Sequence, residues 1–224
     1  MRKSSSYFVK FSALALIASL SSVSAFAAKE KKAAKIAPAA ETKVTFDPAS
    51  SVLKWHGKKV TGKHDGEIKI KDGNLSMAGD QLKGGEFTID MASLTDTDLT
   101  DPEYNKKLIT HLKSDDFFNV EKFPTAVLKI KDAKSVHGLT GPTYDVTADL
   151  TIKGKTNEVK FPAMIKTKDG KTTATANITI DRTKWDIKYG SGKFFAGLGD
   201  KVISDDFNLD IALASAGTAA PAVK

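Results

Sequence analysis

The side chains of this chain best suited to chemistry are its four histidines, His56, His64, His111 and His137. A helical metal-binding pair needs two histidines four residues apart, and no two of these have that spacing. His56 and His64 can converge across a hairpin with Asp65 nearby; this reads as surface or head-group contact, and no metal site is expected. Ser51-Val52-Leu53-Lys54 matches the Ser-x-x-Lys nucleophile pattern, but it lies on a strand-like run, and neither Ser-Asp-Asn nor Lys-Thr-Gly follows it. The glycines of KYGSGKFFAGLGDK (188–201) fit neither a phosphate-binding loop nor a dinucleotide turn. The chain has no cysteine, which excludes disulfides, thiolate catalysis and cysteine metal sites. With no acid–base pair or nucleophile constellation left, the expectation is a non-enzymatic protein without a cofactor.

Aromatic rings stand where the chain is otherwise wet. SDDFFNVEKFPTA (114–126) sets Phe117, Phe118 and Phe123 among Asp115, Asp116, Glu121 and Lys122. A solvated loop would not carry three rings so close together, and a core strand would not carry so much charge. Phe117 and Phe118 at the mouth of an apolar bore would give a ligand a doorway, with the charges keeping the rim soluble. The competing reading is a clamp that pins the preceding segment onto the fold, and it is preferred for Phe123. In the glycine-rich stretch 188–201, Phe194, Phe195 and Leu198 form a similar greasy tip, which reads as a lid or as a loop folded onto the body.

Positioning these groups falls to strands. Apolar residues alternate with polar ones in GEFTIDM (Phe87, Ile89, Met91), YDVTADLTI (Val146, Ala148, Leu150), EVKFPAMI (Phe161, Ala163), TATANITI (Ile178) and FNLDIAL (Phe207, Leu209), with shorter runs at Leu53/Trp55, Ile68/Ile70 and Leu128/Ile130. Turn signals stand at Asp72-Gly73-Asn74, Gly84-Gly85, Gly141-Pro142, Lys153-Gly154 and Asp169-Gly170. About eight strands with one apolar face each imply antiparallel pairing, in a closed barrel or a two-sheet sandwich. One helix interrupts them. Asp101 is a good N-cap, Pro102 suits the first turn, and Tyr104, Leu108 and Leu112 recur on one face. Small residues at inward positions (Gly57, Gly85, Ala148, Ala163, Ala174, Ala176) leave volume in a barrel, unless bulky partners such as Trp55 and Phe161 fill it. Trp185 is placed with the interior set.

HLKSDDFFNVEKFPTAVLKI, ADLTIKGKTNEVKFPA and IDRTKWDIKYG…LGDKVISDDFNLDIAL closely resemble, in order, the segments of the YceI-like lipid (polyisoprenoid)-binding family. The resemblance implies an all-β fold: a closed, eight-stranded, antiparallel, lipocalin-like β-barrel with one short helix in a long connection, holding a long-chain amphiphile in its bore. The first hairpin, VLKWHGKKVTGKHDGEIKI, is shorter and more basic here than the aromatic-and-His-rich hairpin of typical members. The expected function is that of a carrier for a polyisoprenoid, an isoprenoid quinone or a fatty amide or acid. A filled-core structural or stress-interaction domain with a protein partner is the alternative.

The ends set the compartment. Arg2, Lys3 and Lys10, the apolar run 11–23 and the small-x-small Ala25-Phe26-Ala27 read as a cleaved signal peptide over 1–27. Residues 28–41, rich in Ala and Lys, read as a disordered tether, 42–213 as the barrel domain and 214–224 as a flexible tail. The whole chain carries 34 basic and 27 acidic residues, net +7. The signal segment holds three of the basic ones, and the tether four lysines and two glutamates, which leaves 27 against 25, net +2, from residue 42 onward. So small a surplus speaks against a nucleic-acid partner. A periplasmic or secreted bacterial protein is expected, with no membrane-spanning segment after cleavage and room for a homodimer.

Overall fold

The computed structural model describes residues 40–138 and 141–216. The signal segment 1–27, the tether up to residue 39 and the tail from residue 217 lie outside the described residues. Nine strands form: β1 (Glu41–Thr45), β2 (Val52–Lys59), β3 (Gly62–Ala78), β4 (Gln81–Asp96), β5 (Thr125–Gly138), β6 (Gly141–Ile152), β7 (Lys155–Lys168), β8 (Lys171–Asp181) and β9 (Asp206–Ala214). From β2 to β9 each strand pairs antiparallel with the next, and β9 pairs back onto β2 from Val52↔Ala212 to His56↔Asn208. The result is the closed eight-position barrel expected of the sequence.

β1 adds a segment without adding a position. It pairs with the far half of β3 (Val44↔Leu75), whereas β2 pairs with the near half (Leu53↔Ile68). The two are pieces of one staggered strand broken at 47–51, where the Asp47 carboxylate accepts the Ala49 amide and the Ser50 hydroxyl. Glu41, expected at the end of the tether, opens β1. At the other end, Ala214 still belongs to β9 and Ser215 is buried against Phe46, so the ordered domain runs past the expected boundary at 213.

Alternation places the core. On β6, Tyr144, Val146, Ala148, Leu150 and Ile152 are buried, and the residues between them face outward. Lys153-Gly154 and Asp169-Gly170 close two-residue hairpins, with φ of 51° and 72° in the first and 50° and 73° in the second, the positive-φ pair that matches strand twist. Two turn signals are overturned. Asp72-Gly73-Asn74 lies inside β3 and Gly84-Gly85 inside β4, and the chain reverses instead at Gly79-Asp80. The strand glycines make room for rings and backbone. Gly73 faces Phe87 and Gly66 faces Trp55 across the ladder, and a Cβ would stand 2.1 Å from the Phe87 ring and 2.5 Å from the Trp55 ring. The β7–β8 ladder spans only Ala163↔Ala176 to Lys168↔Lys171 and stops beside Pro162, which has no N–H to donate.

The helix α1 (Pro102–Lys113) starts as its cap requires: the Asp101 carboxylate accepts the Glu103 and Tyr104 amides. Leu108, Ile109 and Leu112 pack on the core. Tyr104, expected on the same face, is exposed under Lys107. None of the helices among the described residues is long and apolar enough to cross a membrane.

The glycine packing is testable. Gly73→Ala should lower the stability read from urea unfolding by about 1–3 kcal/mol, the usual cost of overpacking. Gly57→Ala, whose new methyl meets only Trp55 Cζ3 at 3.8 Å, should change it little.

Candidate functional site

The inward faces do not meet. They enclose a cavity of about 670 Å³, a size that suits a bound small molecule. Of the residues expected at a site, Trp55, Phe87, Ile89, Met91, Phe117 and Phe118 line it, as do Val146, Leu150, Phe161, Ala163, Ile178, Phe207 and Leu209. Gly57, Ala163, Ala174 and Ala176 supply the small surfaces that leave the volume. Gly85 does not; a Cβ there would meet Asn74 O and Leu75 Cδ2 at 2.7 Å. At the end formed by the β3–β4 and β7–β8 turns, Leu75, Leu82, Ile165 and Leu213 bound the cavity.

The other end carries the polar groups. There the cavity is lined by Lys58, Lys59, Thr61 and Lys63 of the β2–β3 hairpin, by Asp200, Lys201 and Ser204 of the segment before β9, and by Asp206 at the start of β9. Backbone bonds join these two pieces of rim: Val60 N donates to Val202 O, and Ser204 N donates to Lys58 O. Lys63 pairs with Asp65 at 2.9 Å, which holds its ammonium pKa above the ordinary lysine value. Lys58, Lys59 and Lys201 form no ion pair among the described residues. The His56 ring nitrogens face Asp65 at 2.7 Å and Asp210 at 3.0 Å on the outer surface.

One wall of the rim is aromatic. Phe117 is buried, His111 meets it edge-on at 5.0 Å, and Tyr189 lies against both rings at 5.5 and 4.6 Å. The backbone turns that deliver Phe117 hang from the end of α1. Phe118 N donates to Leu112 O, Val120 N to Lys113 O, and Asn119 takes the left-handed φ of 46° that reverses the chain. Phe123 leaves the cavity and covers Gly154 of the β6–β7 turn, where a Cβ would stand 2.8 Å from its ring. The clamp reading therefore holds for Phe123. Phe117 and Phe118 both touch the cavity, the first buried and the second half-buried.

Arg182 underpins the same wall. Its buried guanidinium donates to Ser204 O, Ile203 O and Ile187 O at 2.8–3.1 Å, with Asp205 3.7 Å away. Burial pushes its pKa below the usual arginine value, partly offset by Asp205 and Asp181.

Five expected site residues lie off the cavity. Ala148 is fully buried within the wall without reaching the interior surface. Trp185 is buried without lining the cavity, its indole donating to Leu150 O at 3.0 Å. Phe194 and Phe195 are about half exposed, and Lys188 lies over the Phe194 ring. Leu198, half-buried, likewise does not line the cavity. The greasy tip thus points outward, and the segment reaches the cavity through Tyr189, Asp200 and Lys201 instead. Tyr189, Arg182 and Ile187 are lining residues that the sequence did not single out, and His111, weighed there only as a metal ligand, lines the cavity as well. They sit in irregular segments or on the helix, where no period-two pattern reports which way a side chain points. The His137 side chain is outside the described set.

A closed antiparallel meander around an apolar, ligand-sized bore is a lipocalin-like binding barrel. The family model of the YceI-like domain matches residues 44–215, and the chain belongs to that family. Burkholderia cenocepacia BcnA is structurally similar, with TM-score 0.59 and 23% identity over 75% of this chain and 98% of that one. So is a polyisoprenoid binding domain from Saccharophagus degradans implicated in plant cell wall breakdown, with TM-score 0.56 and 16% identity over 80% of this chain and 100% of that one. Comparison with curated proteins gives no match.

The buried ring makes a direct check. Phe117→Ala should cost about 3–5 kcal/mol of stability, as large-to-small replacement of a buried ring does, measured by urea unfolding of the lipid-free protein.

Proposed function

We propose that this protein is an exported, non-enzymatic carrier that holds the hydrocarbon chain of an amphiphile inside the barrel and its head group at the lysine rim. The observation that carries the reading is the cavity of about 670 Å³ with apolar walls and one polar end. That open bore also argues against the filled-core alternative. Each buried methylene contributes roughly 0.8 kcal/mol, so ten to fifteen carbons give about 8–12 kcal/mol before ordering costs. Retention on that scale needs no catalytic group. The ligand classes that fit are a polyisoprenoid, an isoprenoid quinone and a fatty amide or acid. Lys58, Lys59 and Lys201, free of carboxylate partners among the described residues, favour an acidic head such as a phosphate or carboxylate. The polyisoprenoid-binding description of the Saccharophagus degradans domain points the same way.

Gentle purification followed by organic extraction and mass spectrometry should release one long-chain lipid in about one-to-one amount. Filling the bore with Ala174→Trp, or placing a charge on its apolar wall with Phe118→Asp, should lower that amount several-fold while the barrel stays folded by circular dichroism. A chain that yields no lipid, with the variants indistinguishable from it, would sink the carrier reading. For export, intact mass should show a mature N-terminus at Ala28, and a full-length protein retained in the membrane would contradict it.

A further inference from the structure

In the wall of the same barrel end lies a cluster of ligand-type side chains that lipid carriage does not use. His64 comes from β3, Asp96 ends β4, and Asp98 follows in the connection to α1; one ligand atom of each lies within 4.8 Å of the other two. His64 Nδ1 is 3.1 Å from Asp98 Oδ2 and 3.9 Å from Asp96 Oδ2. Both carboxylates are fixed by their other oxygen. Asp96 Oδ1 accepts the Leu99 amide at 2.9 Å and the Asn105 side-chain amide at 3.2 Å. Asp98 Oδ1 accepts the Asp65 amide at 2.7 Å. The Asp96 side chain is 0% exposed, and its Oδ2 accepts no hydrogen bond from any described residue. A buried carboxylate oxygen left without a donor calls for a proton or an ion.

We propose that His64, Asp96 and Asp98 bind a divalent transition-metal cation. One imidazole nitrogen and two carboxylate oxygens form a three-ligand set that leaves a coordination position open. Ligands about 2.0–2.2 Å from a tetrahedral Zn²⁺ stand roughly 3.3–3.6 Å apart; the two separations from His64, 3.1 and 3.9 Å, lie within a few tenths of an ångström of that range, and the two carboxylate oxygens lie within 4.8 Å of each other. The imidazole and the low ligand number disfavour Ca²⁺ and Mg²⁺, which take six or more oxygens. The Leu99 and Asp65 amides and Asn105 act as the outer partners that orient metal-binding carboxylates. His64 also lines the cavity, so the ion would sit in its wall and tie the β2–β3 hairpin to the segment leading into α1. A proton shared between the two carboxyls is the competing way to settle the orphan oxygen.

The test is equilibrium dialysis of the chelator-stripped protein against Zn²⁺, with elemental analysis and thermal melting. About one saturable Zn²⁺ per chain is expected, with a rise in melting temperature. Outer-shell changes alone cost 10–100-fold in metal affinity, so removing a ligand by His64→Gln or Asp96→Asn should cost about 100-fold or more and abolish the rise. His64→Gln alters a partly exposed side chain and keeps the fold, which guards against Asp96→Asn acting through the core. His56→Gln and His111→Gln, at the other histidine–carboxylate pairs, should leave binding unchanged. No bound Zn²⁺ at millimolar concentration would overturn the proposal in favour of the shared proton. Binding that survives both ligand substitutions would overturn it by placing the ion elsewhere.

Discussion

Everything inside this molecule depends on one ladder, the antiparallel pairing of β2 with β9 that shuts the barrel. Without it the eight strands would form an open sheet with an apolar face and two bare edges. With it, the inward side chains surround one closed bore and the alternation of the strands becomes the inside and outside of a vessel. The seam joins distant parts of the chain: His56 and Asp210, facing each other across it, are 154 residues apart. Because Trp55, Leu209, Leu53 and Ile211 lie opposite one another along it, the seam also supplies part of the cavity wall.

The interior then divides its labour by residue size. Large aromatic and branched side chains build the wall, while Gly57, Ala163, Ala174 and Ala176 set how much room is left. Polar groups gather where the connections are, since only there can exposed lysines stand beside an apolar bore without being buried. Arg182 holds that end together by placing one desolvated cation under three carbonyls of two separate segments. Breaking such a buried arrangement leaves several polar groups unpaired at once, and so the irregular stretch from 182 to 205 keeps a defined shape despite its glycines.

The strands were legible because period-two alternation is a property of each strand alone. β6, with five inward residues in register, could be read without knowing what it packed against. β1 could not, since ETKVT buries only Val44 and takes its meaning from β3. Glycine misled where its role was packing: Gly73 and Gly85 look like turn residues until a ring or a backbone carbonyl is seen to occupy the space of their missing Cβ. The site was half-readable for the same reason. Strand residues such as Phe87 and Phe161 face the bore as their alternation demands. Trp185, Phe194 and Phe195 sit in loops, where a hydrogen bond or a neighbouring lysine decides the direction of the side chain. The cluster of His64, Asp96 and Asp98 escaped notice because its members lie on two strands and a connection and become neighbours only through the β3–β4 register.

The short β7–β8 ladder carries a consequence for behaviour in a crowded compartment. Beyond Pro162 the β7–β8 pairing does not continue, and a strand edge left unpaired is in general a template onto which another chain can add a strand. The sequence guards it. Glu158 and Lys160 of β7 pair with each other, Glu158 also reaches Lys131 of β5 across β6, and Pro162 itself cannot donate to an incoming strand. Proline and charged residues on β7 are the kinds of residue that discourage edge-to-edge strand addition, so the short ladder is set in a stretch poorly suited to being extended by a neighbour.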